Sequence, residues 1–109
     1  MIDRQKVLKK HNGHCAYCGK EITLKTMQVD HIIPVRGIGT DDFNNLNPSC
    51  RRCNYYKRGY TIEHFRQLIL TLNERVMKNY IVKVAIDFGI ISVKGWNSKF
   101  YFEEEQRDE

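Results

Sequence analysis

Two cysteine pairs, Cys15-Ala16-Tyr17-Cys18 and Cys50-Arg51-Arg52-Cys53, bracket the segment Val29-Asp30-His31-Ile32-Ile33-Pro34. Thiolates two residues apart can present both sulfurs to one tetrahedral zinc, so the two pairs are expected to hold together the ends of whatever lies between them. The chain has 109 residues, one small domain's worth, and is too short to bury a large core. A structural zinc bound by Cys15, Cys18, Cys50 and Cys53 would then be part of the fold. The two pairs use all four cysteines and leave no spare thiol, a pattern that suits a reducing compartment better than a disulfide framework, which stays as the alternative. Between the pairs, adjacent Asp30 and His31 offer a hard oxygen ligand for a cation and a group that takes a proton near neutral pH.

The charge balance narrows the class of partner. Lys and Arg exceed Asp and Glu by 18 to 13, for a net charge of +5. The excess is uneven, because residues 103–109 carry a net −4 and residues 1–102 therefore +9. Such a surplus on a small domain favours a polyanion, nucleic acid above all. The first residues are charged and run into no apolar segment, and no later run approaches membrane-spanning length. The expectation is a soluble, cytoplasmic chain with no membrane partner.

Along the chain, residues 2–11 are expected to form a short basic helix stopped by Asn12-Gly13. Gly19 then closes the first knuckle, and Met27 to Ile33 read as a strand ended by Pro34. Residues 35–44 form a polar loop, and a helix runs from Ser49 to about Arg58, with Gly59 closing it. Thr61 is an N-cap with Glu63 in the first turn. Beyond it, Phe65, Leu68, Ile69, Leu72, Val76, Tyr80, Val84 and Phe88 recur at spacings of three and four. One or two amphipathic helices should therefore reach Gly89, with Asn73 as a possible break. Ile90 to Val93 and Phe100 to Phe102 read as a short β-hairpin, followed by an acidic tail over 103–109. The domain reading is a zinc-stabilised core over 1–60, a helical and hairpin extension packed on it over 61–102, and the tail.

Taken in order, Asp30-His31, Asn45-Leu46 and Cys50-Arg51-Arg52-Cys53-Asn54, with Lys57 following, resemble the HNH endonuclease family over about residues 12–59. The loop Gly37-Ile38-Gly39-Thr40-Asp41-Asp42-Phe43 resembles the family's glycine-rich connection, with Ile38 where a second adjacent glycine is expected. The resemblance implies an α+β chain with a ββα-metal core, here in the variant clasped by a four-cysteine zinc. It implies His31 as general base, Asp30 and Asn54 as ligands of a catalytic Mg²⁺ or Mn²⁺, and Asn45 as the residue that steadies the loop behind His31. The implied activity is metal-dependent cleavage of DNA. Small members of the family are similar to phage or mobile-element nucleases, some of which act beside DNA-packaging proteins, so DNA-processing proteins join DNA among the implied partners.

The residues support this chemistry on their own terms. A neutral imidazole can accept a proton from water, while a cation held by one carboxylate and one amide oxygen keeps positions open for phosphate and water. Beside such a centre, Arg36, Arg51, Arg52, Lys57 and Arg58 are expected to contact phosphates. Strict alternation would send Asp30 and His31 to opposite faces of a strand, so a bulge or irregular strand is expected there. The competing reading is a non-catalytic zinc-dependent module that binds nucleic acid through the same basic face.

Overall fold

The computed structural model describes residues 1–105. Helix α1 (Arg4–Lys9) starts at Asp3, whose side chain accepts a hydrogen bond from the Lys6 N–H. It ends where Asn12 and Gly13 take positive φ. Strands β1 (Gln28–His31) and β2 (Leu46–Ser49) pair antiparallel, Gln28 with Ser49 through His31 with Leu46. Helix α2 (Arg51–Lys57) follows β2 at once and packs against β1, completing a ββα arrangement. Its last turn ends at Arg58 in a positive-φ conformation (φ 56), so Arg58, one residue before the expected Gly59, closes the helix. Helices α3 (Ile62–Leu70), α4 (Leu72–Met77), α5 (Tyr80–Asp87) and α6 (Tyr101–Glu105) complete the described elements.

The chain divides into two compact units, one of residues 1–65 with 99 onward and one of Arg66–Ser98. The boundary therefore falls at Phe65, rather than at residue 60. The reason is aromatic packing around the first cysteine knuckle. Tyr17, inside that knuckle, meets Phe65 and Phe100 edge-on with both centroids at 5.4 Å, and Phe65 stacks on Phe100 at 5.1 Å. Val7, Ala16, Met27 and Leu46 are buried in the same unit, and every residue of β2 is buried.

The expected C-terminal hairpin is not formed. Residues 91–100 are irregular, and Tyr101 begins a helix. Its first amides, which have no partner within the helix, donate to the knuckle instead, Tyr101 N–H to Tyr17 O (3.1 Å) and Phe102 N–H to Ala16 O (2.8 Å). Phe100 and Phe102 thus owe their spacing to the aromatic cluster and not to a strand. Of the expected acidic tail, residues 103–105 are helical and 106–109 lie outside the described residues.

The amphipathic segment from Ile62 is three helices with breaks at Thr71 and Asn79, not at Asn73. Asn79 caps α5 by accepting from the Ile81 and Val82 N–H groups, whereas Asn73 lies inside α4 and donates to Lys94 O. Gly89 takes φ +72 to close α5. Tyr80, Ile81, Phe88 and Ile90 are each at least 75% exposed. No described helix is long and apolar enough to cross a membrane.

Candidate nuclease site

The four cysteine sulfurs lie within 4.8 Å of one another, and Cys18 Sγ is 3.9 Å from Cys50 Sγ. A tetrahedral zinc with bonds of about 2.3 Å needs sulfurs about 3.8 Å apart, so the cluster fits that ion in donor type and in spacing. The knuckle amides support it, with Tyr17 N–H donating to Cys15 Sγ (3.4 Å) and Cys53 N–H to Cys50 Sγ (3.3 Å). Hydrogen bonds from Cys18 and then Cys53 hold the Cys15 thiol low, while sharing with Cys15 pushes Cys18 and Cys53 up. Zinc binding would expel the protons these thiols hold.

Strand β1 is regular, and its continuous register with β2 excludes the expected bulge. The alternation that follows separates the two neighbours. Asp30 is buried at 5% exposure, while the His31 side chain is 25% exposed. The Asp30 carboxylate accepts from the Tyr17 hydroxyl, and Asn47 Nδ2 approaches the same hydroxyl at 3.4 Å. Burial pushes the Asp30 carboxyl up, against the opposing pull of Tyr17 and Lys57; burial also raises the Tyr17 phenol, with Asp30 adding to it.

Lys57 corrects one expectation. Rather than facing phosphates, it is fully buried, with Nζ 3.0 Å from Asp30 Oδ2 and 3.2 Å from Oδ1. The same ammonium donates to Tyr60 O (2.8 Å) and His31 O (3.3 Å). A long cationic side chain tolerates such burial only where acceptors surround its head, and here four do. Asn54, one turn earlier on α2, shares by its spacing the face that Lys57 turns toward β1, and it is half-buried. Arg36, Arg51, Arg52 and Arg58 are exposed. Arg58 lies over the ring of Tyr55, with its guanidinium carbon 5.8 Å from the centroid.

Removing the ammonium alone should leave a buried carboxylate unpaired. Lys57→Met is therefore expected to lower unfolding free energy by about 3–5 kcal/mol in urea denaturation of the zinc-loaded protein. Adding Asp30→Asn should recover part of that loss. A decrease below about 1 kcal/mol for Lys57→Met would mean that water screens the pair, as it does surface ion pairs.

Asn45 bridges the loop behind His31. Its Oδ1 accepts from Ile33 N–H (2.8 Å), and its Nδ2 donates to Ile33 O (3.1 Å) and Thr40 O (2.8 Å). The loop can close this tightly because of Gly39, where a Cβ would sit 1.9 Å from Ile33 O. The His31 ring meets the carboxylate of Asp41, Nε2 to Oδ1 at 2.7 Å. Sequence reasoning missed three participants. Tyr17 and Asn47 carry no motif, although a phenol inside a metal knuckle is a large group needing a buried partner. Asp41 sits in the loop over residues 35–44, where an acidic side chain gives no sign of a histidine partner ten residues back.

Residues 15–58 match the family model described as HNH endonuclease. Over that segment the chain is similar to HNH endonucleases. The chain is similar to the CRISPR-associated endonuclease Cas9 of Corynebacterium diphtheriae, 42% identical over 55 residues, which is 50% of this chain and 5% of that protein. It is also similar to the CRISPR-associated endonuclease Cas9 of Actinomyces naeslundii, 31% identical over 99 residues, 90% of this chain and 8% of the relative. Among solved structures, the Type II-C Cas9 enzyme from Actinomyces naeslundii superposes with a TM-score of 0.54 at 34% identity, over 59% of this chain and 7% of that one. The chain thus spans less than a tenth of the length of each of these proteins.

Proposed function

We propose that the chain is a metal-dependent endonuclease that hydrolyses DNA phosphodiester bonds with His31 as general base. The observation that carries this reading is the presentation of His31. Within the HNH segment, its imidazole stands partly exposed at the end of β1, backed by a loop that the Asn45 amide ties at Ile33 and Thr40. A ring held this way can take a proton from a water approaching a phosphate without first losing its own rotational freedom. The exposed Arg36, Arg51, Arg52 and Arg58 supply positive charge for the phosphodiester backbone.

Asp30 and Asn54 are the proposed ligands of the catalytic cation, and their donor types, one carboxylate and one amide oxygen, suit Mg²⁺ or Mn²⁺ better than zinc. Both Asp30 oxygens already bond the Lys57 ammonium, and the Tyr17 hydroxyl also donates to Oδ2, so a cation at Asp30 would have to share the carboxylate with these groups. When bound, a divalent cation supplies charge stabilisation to the phosphate and leaving oxygen. The chain's own part is to keep Asp30 aligned through Tyr17 and Lys57 and to keep His31 ready to accept the proton.

Cleavage of supercoiled plasmid by highly purified protein with Mg²⁺, Mn²⁺ or chelator tests the reading. Nicked or linear DNA that forms only with the cation is the expected result. Protein that binds DNA yet leaves it intact with either cation would overturn the reading in favour of the non-catalytic zinc module.

A further inference from the structure

The polar groups around His31 are not spread evenly. Its Nε2 lies 2.7 Å from Asp41 Oδ1, and the loop that delivers Asp41 is pinned at the residue just before it. Asn45 holds Ile33, two residues after the histidine, and Thr40, adjacent to Asp41, with one amide group. One side chain thus braces the backbone near each partner of the imidazole–carboxylate pair. Gly39 permits the close return of the loop over Ile33 O, and the Asp42 N–H to Thr40 Oγ1 contact (3.3 Å) turns the chain at Asp41 itself.

From this arrangement we infer that Asp41 is a positioning residue for the proton-accepting imidazole of His31. The inference rests on the nuclease reading and adds to it a specific tautomer. An ionised carboxylate only accepts hydrogen bonds, so His31 must place its ring proton on Nε2 and donate it to Asp41. The lone pair then lies on Nδ1, and Nδ1 is the atom that takes the proton from water. Once it does, the ring is an imidazolium facing a carboxylate, which stabilises the charge it has gained. The carboxylate itself stays ionised. Asp41 is 71% exposed, so its contribution is orientation and tautomer choice more than a strong field.

Two measurements on the full chain, zinc loaded, test this separately from the nuclease reading. Long-range ¹H–¹⁵N spectra at neutral pH should show His31 of the wild type with Nε2 protonated and Nδ1 bare, and Asp41→Ala should give an averaged mixture of both tautomers. On supercoiled plasmid with Mn²⁺, Asp41→Ala should lower kcat about 10–100-fold with KM, zinc content and thermal midpoint unchanged, as expected for loss of a group that orients another. Asp41→Glu should restore part of both signals. A wild-type His31 protonated on Nδ1, or a tautomer signature unchanged in Asp41→Ala, would overturn the inference whatever the activity. A locked Nε2–H tautomer in a protein that cuts no DNA would uphold the pairing and sink the nuclease reading instead.

Discussion

Removing zinc from this protein, by chelation or through Cys50→Ala, is expected to unfold the unit of residues 1–65 and 99 onward as a whole. The size of the effect follows from what the cluster holds. Two strands of four residues each are not stable alone, and this unit's hydrophobic centre is the aromatic group around Tyr17, which lies between two of the ligands. Cys15 and Cys50 are themselves buried, at 0% and 4% exposure, so a metal held there would tie the knuckle to the start of α2 from inside. Structural zinc sites in small peptides contribute about 10–16 kcal/mol of apparent binding free energy at neutral pH, about as large as the whole stability of an ordinary domain. Losing it should abolish cooperative unfolding rather than shift its midpoint. Acid should act in the same direction, because Cys18 and Cys53 hold their protons above the usual thiol range and must release them for the metal. Zinc affinity and the folded fraction therefore fall together as pH falls. Circular dichroism during a chelator titration, with elemental analysis of the product, checks this. A zinc-free protein that still unfolds cooperatively at the wild-type midpoint would refute it.

The four-cysteine cluster was legible because spacing alone specifies it. The ligands sit in two turns whose geometry depends on residues one and two positions away, and such local information survives in a linear sequence. Asn45 was legible for a different reason. It came through the family resemblance, and in the structure its amide bonds Ile33 and Thr40. Lys57 was not legible. A lysine in the last turn of a basic helix reads as a solvated charge, and nothing nearby reveals that Asp30, His31 O and Tyr60 O converge to receive it. The same limit explains Phe100 and Phe102. Alternating aromatics suggest a strand, yet their partners lie more than thirty residues back, at Tyr17 and Phe65. In the unit Arg66–Ser98 the periodicity identified helix but not its punctuation, since Asn73 and Asn79 differ only in whether the following amides were free to be capped. The expected bulge at Asp30-His31 came from requiring both side chains to face one phosphate. The regular strand instead gives each residue its own surroundings, one buried and one open.

That separation shapes the largest expected effect on activity. His31→Ala should lower turnover by about 10² to 10⁴-fold, the usual scale for losing a positioned proton acceptor, while zinc content and DNA affinity stay at wild-type values. The ring is 25% exposed, so the thermal midpoint of the variant is measured alongside, and its polar partner Asp41 lies on the surface. The backbone carbonyl that Lys57 uses at this position is also kept in the variant. The proposed cation ligands should behave differently. Asn54→Ala should weaken productive binding of the cation, so excess Mn²⁺ should restore part of its activity, whereas no concentration of Mn²⁺ should replace the missing base in His31→Ala. Asp30→Ala is the poorer probe of the same role, because it also strands the buried Lys57 ammonium and the Tyr17 hydroxyl and should cost stability before it reports on metal. The comparison is made by plasmid cleavage over a Mn²⁺ titration, with DNA affinity measured in parallel by anisotropy. Cleavage unchanged in His31→Ala would move the base elsewhere, while Mn²⁺ rescue of His31→Ala equal to that of Asn54→Ala would mean that His31 acts on the cation and not on the proton.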